Sequence, residues 1–421
     1  MLKYLNDTEL LAPAGSFEKL KYGLEFGADA VYAGLPDFSL RARINKFDEK
    51  NIIEAINYTH SKNKKIYITI NIFAHNHHLN NLKKHLRTLR KNPPDALIVS
   101  DVGVVEIAKK ILPNVDIHLS TQANTTNFEA AKFWFKQGIK RIVLAREVTL
   151  EEIKEIHQKV PKLELEYFVH GAMCMAYSGR CFLSVWQTGR SSNLGDCAQN
   201  CRWQYSLVEE KRPNEYMPIE QDDQGTYFLN SKDLCLIEYL EELKKAGITS
   251  FKIEGRAKSV YYLAQVVKAY KLALEIKSND KNKKTKIKKL KNDLNKLVNR
   301  TWTTGFLFGE CKFKGQETRF SHTEEKYEFV GEVRNQVLGT QNLVPTVPTI
   351  LIKVHNAIFT GDGVEFIQPN NKNIFCKIKN IYDDKSFDKL KSAHGGQERM
   401  VYVEVSKTPE IFSVMRKRIK Y

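Results

Sequence analysis

The chain has 421 residues, enough for a large core and more than one domain, and its 42% hydrophobic and 27% charged residues are the balance of a globular protein. No apolar run approaches the roughly 20 residues that cross a bilayer. The polar start MLKYLNDTEL lacks the apolar stretch of a signal peptide, so the sequence predicts a cytoplasmic protein without membrane insertion. A net charge of +17 calls for a polyanionic partner, with nucleic acid foremost and an anionic membrane as the competing explanation.

Over the first 255 residues, short β-rich runs alternate with helical stretches. The expected strands are Glu9–Ala12, Ala30–Ala33, Ile66–Ile72, Ala96–Val99, Asp116–Leu119, Arg141–Leu144, Leu165–Val169 and Phe251–Ile253. Eight such runs with intervening helices are what a closed (β/α)8 barrel requires; an open doubly wound sheet is the competing fold. Barrel active sites lie at the C-terminal strand ends. Those ends carry Ser120, Gln122 and Asn124, candidate contacts to an oxygen-rich small molecule or a base edge, and the charged pairs Arg146/Glu147 and Glu254/Arg256. Each pair could orient a carboxylated substrate or form a structural ion pair. His170, directly after the seventh strand, is the candidate proton relay, with Gln122 and Glu254 as weaker catalytic candidates. His75, His77 and His78 form a dense cluster that reads equally as a polar loop.

The seventh strand leads into a long insertion at about residues 171–230 that holds four of the seven cysteines. Cys174, Cys181, Cys197 and Cys201 are separated by six, fifteen and three residues. Four thiolates can close a zinc or iron–sulfur site. The long first gap is unusual for zinc, and Gly171, Gly179, Gly189 and Gly195 would allow close backbone approach, which favours a [4Fe-4S] cluster over zinc or free thiols. Cys235 reads as a core residue or a substitute ligand, and Cys311 and Cys376 as structural.

Residues 1–275 thus form the expected barrel and 276–325 a basic helical segment and linker. In that segment Ile287, Leu290, Leu294 and Leu297 recur at helical spacing among lysines, a pattern for RNA phosphates, anionic lipid or solubility alone. Trp302, Phe306 and Phe308 are candidates for packing a domain junction. From 326 to 421 the pattern changes to strands: YEFVGEV, ILIKVH, DGVEFIQ, IFCKIKNIY and MVYVEVS suggest a small basic β-barrel suited to substrate docking.

LAPAGSFEKLKYGLEFGADAVYAG, EYFVHGAMCMAYSGRCFLS, GDCAQNCRWQY, NSKDLCLIEYL, FKIEGRAKS and NRTWTTGFLFGE together resemble the peptidase U32 family, once catalogued as collagenase-like peptidases. The resemblance is strongest to the branch that forms 5-hydroxyuridine at wobble position 34 of transfer RNA. It implies an oxygen-independent, iron–sulfur-dependent hydroxylase, with tRNA as partner, prephenate or a similar small dicarboxylate as oxygen donor, and an electron-transfer partner. It also implies Cys174, Cys181 and Cys197 as ligands, with Cys201 preferred to Cys235 as the fourth. Arg146, Arg256 and Gln122 would bind the donor, with Asn124 as a further substrate contact. A collagenase-like hydrolase and a non-catalytic RNA-binding metal protein are the alternatives.

Overall fold

The computed structural model describes residues 8–40, 45–174, 176–203, 231–309, 322–337 and 349–419, with the backbone of four short strands between 208 and 226. Eight parallel strands form the first sheet: β1 (Glu9–Pro13), β2 (Ala30–Ala33), β3 (Lys65–Ile70), β4 (Ala96–Val99), β5 (Asp116–Leu119), β6 (Arg141–Val143), β7 (Glu164–Ala172) and β8 (Ile248–Ile253). β8 pairs with both β7 and β1, which closes the sheet into a barrel. The open-sheet alternative is thereby excluded.

The crossover helices start where the chain supplies a cap. Ser16 caps α1 (Phe17–Glu25), Asp101 caps α4 (Val102–Ile111), and Thr149 forms a reciprocal capping box with Glu152 at α6 (Leu150–Lys159). Asp101, at a strand end, is therefore spent on helix initiation. Apolar residues on the outward-facing strand positions and on helix faces make one continuous core around the barrel. Inside the barrel the strands place charge instead, with Glu9, Arg141, Glu166 and Lys252 all buried.

After β8, α9 (Val260–Glu275) buries eleven of its residues, and α10 (Lys283–Leu294) packs beside it through Ile287, Leu290 and the buried Leu294. Among the lysines of α10, Lys283 pairs with Glu241, Lys286 with Asp280 and Lys291 with Glu238. No ion pair holds Lys284, Lys288 or Lys289 among the described residues.

The C-terminal strands are β9 (Tyr327–Val337), β10 (Thr349–Val354), β11 (Gly363–Ile367), β12 (Ile374–Asp383), β13 (Met400–Val405) and β14 (Val414–Arg418). They pair antiparallel in the order β11-β14-β9-β10-β13-β12, and β12 returns to β11 to close a separate small barrel with its own core. Arg416 of β14 reaches the α9 residues Tyr261 and Gln265, one helical turn apart, while its other nitrogens donate to Glu365. Among the described residues, no helix is long and apolar enough to cross a membrane.

Candidate functional site at the barrel mouth

The C-terminal strand ends and the cysteine-rich insertion enclose a pocket of about 310 Å³, within the range of small-molecule sites. Two glycines let the backbones meet there. A Cβ on Gly15 would collide with the Arg256 carbonyl, and one on Gly171, whose φ is +113°, would lie 2.6 Å from the Glu254 carbonyl.

Five cationic side chains line the pocket against one carboxylate, Glu254: Arg146, Arg180, Arg202, Lys252 and Arg256. Arg256 is buried and donates to Ser39, to Thr69 Oγ1 at 3.2 Å and to the Leu40 carbonyl. Arg180 is anchored on the Gln122 carbonyl at 3.0 and 2.6 Å. Arg146 differs from both. Its guanidinium lies 4.1 Å from the centroid of the Phe168 ring and, among the described residues, has no hydrogen-bond or ion-pair partner. A guanidinium stacked on an aromatic face and otherwise unspent is well placed to receive a carboxylate.

Lys252 rises from the floor, 4.4 Å from the Tyr32 ring centroid and 2.6 Å from Glu166 Oε1. Burial pushes its ammonium pKa down, and Glu166 pulls against that shift. Sequence patterning did not single out Lys252; the signal available was a charged residue between Phe251 and Ile253, on the inward face of a barrel strand. Asn71 donates to Gln122 Oε1 at 3.3 Å and to Ser120 Oγ at 3.4 Å, joining three polar strand ends into one wall.

The other sequence candidates fall elsewhere. Asn124, at φ +59°, accepts from Ser178 Oγ at 3.2 Å and does not line the pocket. Glu147 accepts from the Ser178 amide and hydroxyl at 2.7 and 2.9 Å, so it ties the insertion to the barrel. His170 is buried outside the pocket among the Tyr262, Tyr270 and Trp302 rings, and burial pushes its pKa down to about 3. Of the three loop histidines, His75 stacks on His77 and the His78 ring meets His77 tilted at 3.9 Å between centroids, while His78 Nδ1 accepts the His75 amide at 2.9 Å.

Cys174, Cys181, Cys197 and Cys201 all line the pocket as free thiols. Burial pushes the Cys201 thiol up; Arg202 opposes this and the other three sulfurs add to it. Even so, among the described residues no group of three or more His, Cys, Asp or Glu side chains could hold a metal ion. The expectations of a four-cysteine [4Fe-4S] centre and of an iron–sulfur-dependent enzyme are therefore corrected. The insertion is held by side-chain hydrogen bonds instead. Ser192 and Asn193 donate to the Cys181 carbonyl at 3.0 and 3.1 Å, and Asn200 donates to the Leu183 carbonyl at 3.0 Å. Cys235, the alternative ligand, is buried away from the four, 3.8 Å from the Tyr270 hydroxyl, and Cys311 lies outside the described residues.

A closed (β/α)8 barrel with a cationic pocket at its strand ends and a small β-barrel docked on α9 defines the class as a two-barrel protein of the TIM-like kind. Within that class the chain belongs to peptidase family U32, matching the family over residues 15–317 and its C-terminal domain over residues 325–416. It is 37% identical over 421 residues to tRNA hydroxylation protein P of Haemophilus influenzae, covering 90% of this chain and 89% of the relative. The Helicobacter pylori protein of the same name is 44% identical over 337 residues, 78% of this chain and 79% of that one. A Porphyromonas gingivalis protein named collagenase is 33% identical over 317 residues, 73% of this chain and 75% of that one. This kinship supports a function within the range of hydroxylases and peptidases that the family spans.

Proposed function

We infer that the chain hydroxylates transfer RNA, forming 5-hydroxyuridine at wobble position 34 with prephenate or a similar dicarboxylate as oxygen donor. The observation that carries this reading is Arg146, stacked on Phe168 inside a cationic pocket. One donor carboxylate would take the Arg146 guanidinium, and Lys252 and Arg180 would supply the field for the second. Gln122 and Asn71 offer amide groups for the donor or for the uracil edge. A wobble base is already unpaired, so presenting it at a barrel mouth avoids the cost of opening a duplex. Lys284, Lys288 and Lys289 on α10, with the small barrel, would hold the tRNA body through its phosphates.

The peptidase reading has less support. A cysteine nucleophile needs an adjacent base, and no histidine is among the described residues that line the pocket. The deciding assay incubates the protein with unmodified tRNA, with and without prephenate, and weighs the nucleosides by mass spectrometry. A prephenate-dependent gain of one oxygen on uridine 34 is expected. No gain with an RNA that binds would overturn the reading.

A further inference from the structure

The insertion that roofs the pocket exposes four aromatic side chains within 27 positions: Tyr177 at 55%, Phe182 at 75%, Trp186 at 71% and Trp203 at 49% of full exposure. Large aromatic rings are costly to leave in water, and a cluster of them on a surface marks a binding face. Phe182 lines the pocket itself. Trp186 lies one turn further along α7 (Leu183–Thr188), its amide bonded to the Phe182 carbonyl at 3.0 Å, so the two rings share one face of the helix.

The scaffold beneath them is fixed. Ser184 Oγ donates to the Arg190 carbonyl at 2.7 Å and accepts the Ala198 amide at 3.0 Å, and Gly189, at φ +69°, ends the helix. The rings are thus held outward by a cross-linked loop. Guanidinium groups neighbour them in the chain: Arg180 lies two positions before Phe182 and Arg202 directly before Trp203, and both arginines line the pocket with Phe182.

We propose that Phe182 and Trp186, flanked by Tyr177 and Trp203, form a stacking platform for the unpaired bases on either side of the nucleotide that enters the barrel. Aromatic rings interleaved with arginines suit single-stranded RNA, whose bases offer π faces and whose phosphates offer charge. A second copy of this chain fits the face poorly, because each copy carries a net charge of +17. The platform rests on the RNA-modifying reading and adds to it the surface that selects unpaired over paired RNA.

The test measures fluorescence anisotropy of a labelled anticodon stem-loop and of a blunt-ended, fully paired two-strand duplex of equal nucleotide count, using the full chain. The Phe182→Ala/Trp186→Ala double variant should bind the stem-loop at least tenfold more weakly and leave duplex binding unchanged, whereas Trp186→Phe should bind like the wild type. If the double variant does not fold, Trp186→Leu replaces it, keeping an apolar side chain but removing the π face. Unchanged stem-loop binding, or equal loss for both RNAs, overturns the platform. So does a concentration-dependent dimer that the double variant dissolves without any effect on RNA. Nucleoside masses from the same samples separate the two readings. A wild type that binds loops selectively but adds no oxygen leaves the platform standing and removes the hydroxylase, and a double variant that binds and hydroxylates normally does the reverse.

Discussion

The Lys252 ammonium and the Glu166 carboxylate meet at 2.6 Å inside the barrel, with 5% and 0% of their side chains exposed. Glu166 also takes Ser250 at 3.1 Å and Arg141 at 3.3 Å, and Arg141 continues to Glu9 and Glu164. Charges this deep are tolerated only as a set. Lys252→Met should therefore cost about 3–5 kcal/mol, because the buried Glu166 loses its nearest counter-ion. Adding Glu166→Leu should recover part of that loss. Urea unfolding of the two single variants and the double variant measures the coupling.

Arg146 supports a different expectation, since its guanidinium is held by a ring and not by an acid. Arg146→Ala should leave folding stability within about 0.5 kcal/mol of the wild type. It should weaken prephenate binding about tenfold or more, as loss of a charge-assisted contact of about 1.5–3 kcal/mol requires. Arg146→Lys should recover little, because an ammonium cannot make the two-pronged contact. Isothermal titration with prephenate and thermal unfolding of the same samples separate binding from folding.

The barrel was legible because its signal is periodic. Ala30–Ala33, Ala96–Val99 and Asp116–Leu119 are strands at the expected bounds. In the C-terminal domain five of the six strands announce themselves, but β14 does not: VMRKR is short and basic, and one of its three buried positions is filled by Arg416. The same physics hid Lys252. A buried charge resembles a surface charge until the partner from another strand is known, and Glu166 lies 86 residues away in the chain. Cysteine spacing misled in the opposite direction. It brings four thiols to one pocket, yet it does not determine whether they converge or whether Ser192, Asn193 and Asn200 fix the loop.

Arg416 couples the two barrels, fully buried between Glu365 at 2.7 Å and Tyr261 at 3.0 Å. Burial opposes its charge, while Tyr261 and Glu365 more than offset that and hold its pKa above the usual value. Arg416→Met should cost about 3–5 kcal/mol by stranding Glu365. The small barrel should then melt before the large one, so calorimetry should resolve two transitions where the wild type shows closer coupling.

The thiols give a direct chemical readout of the corrected site. Cys174 is exposed, Cys201 is half-buried with its pKa pushed up by burial, and Cys235 is buried with the same shift. Thiolate is the reactive form, so iodoacetamide at neutral pH should label Cys174 ahead of Cys201 and reach Cys235 only on unfolding. Peptide mass spectrometry over a time course checks the order.

His170 supplies the pH dependence. Burial lowers its pKa from 6.5 to about 3, with Asp233 pulling it up and Lys258 pushing it down, and its Nε2 has no hydrogen-bond partner among the described residues. The folded state therefore holds a neutral ring while the unfolded chain takes up a proton below about pH 6.5. Its contribution is intact above that pH and is lost as pH falls toward 3, at about 1.4 kcal/mol per pH unit. By about pH 5 the wild type should have lost roughly 2 kcal/mol through this group alone. His170→Leu cannot take up that proton in either state. Whatever the substitution costs at pH 7 through packing against Trp302, its stability should fall by roughly 2 kcal/mol less between pH 7 and pH 5 than that of the wild type. Guanidinium unfolding at the two pH values reads the difference, and equal slopes would mean that His170 is protonated in the folded protein.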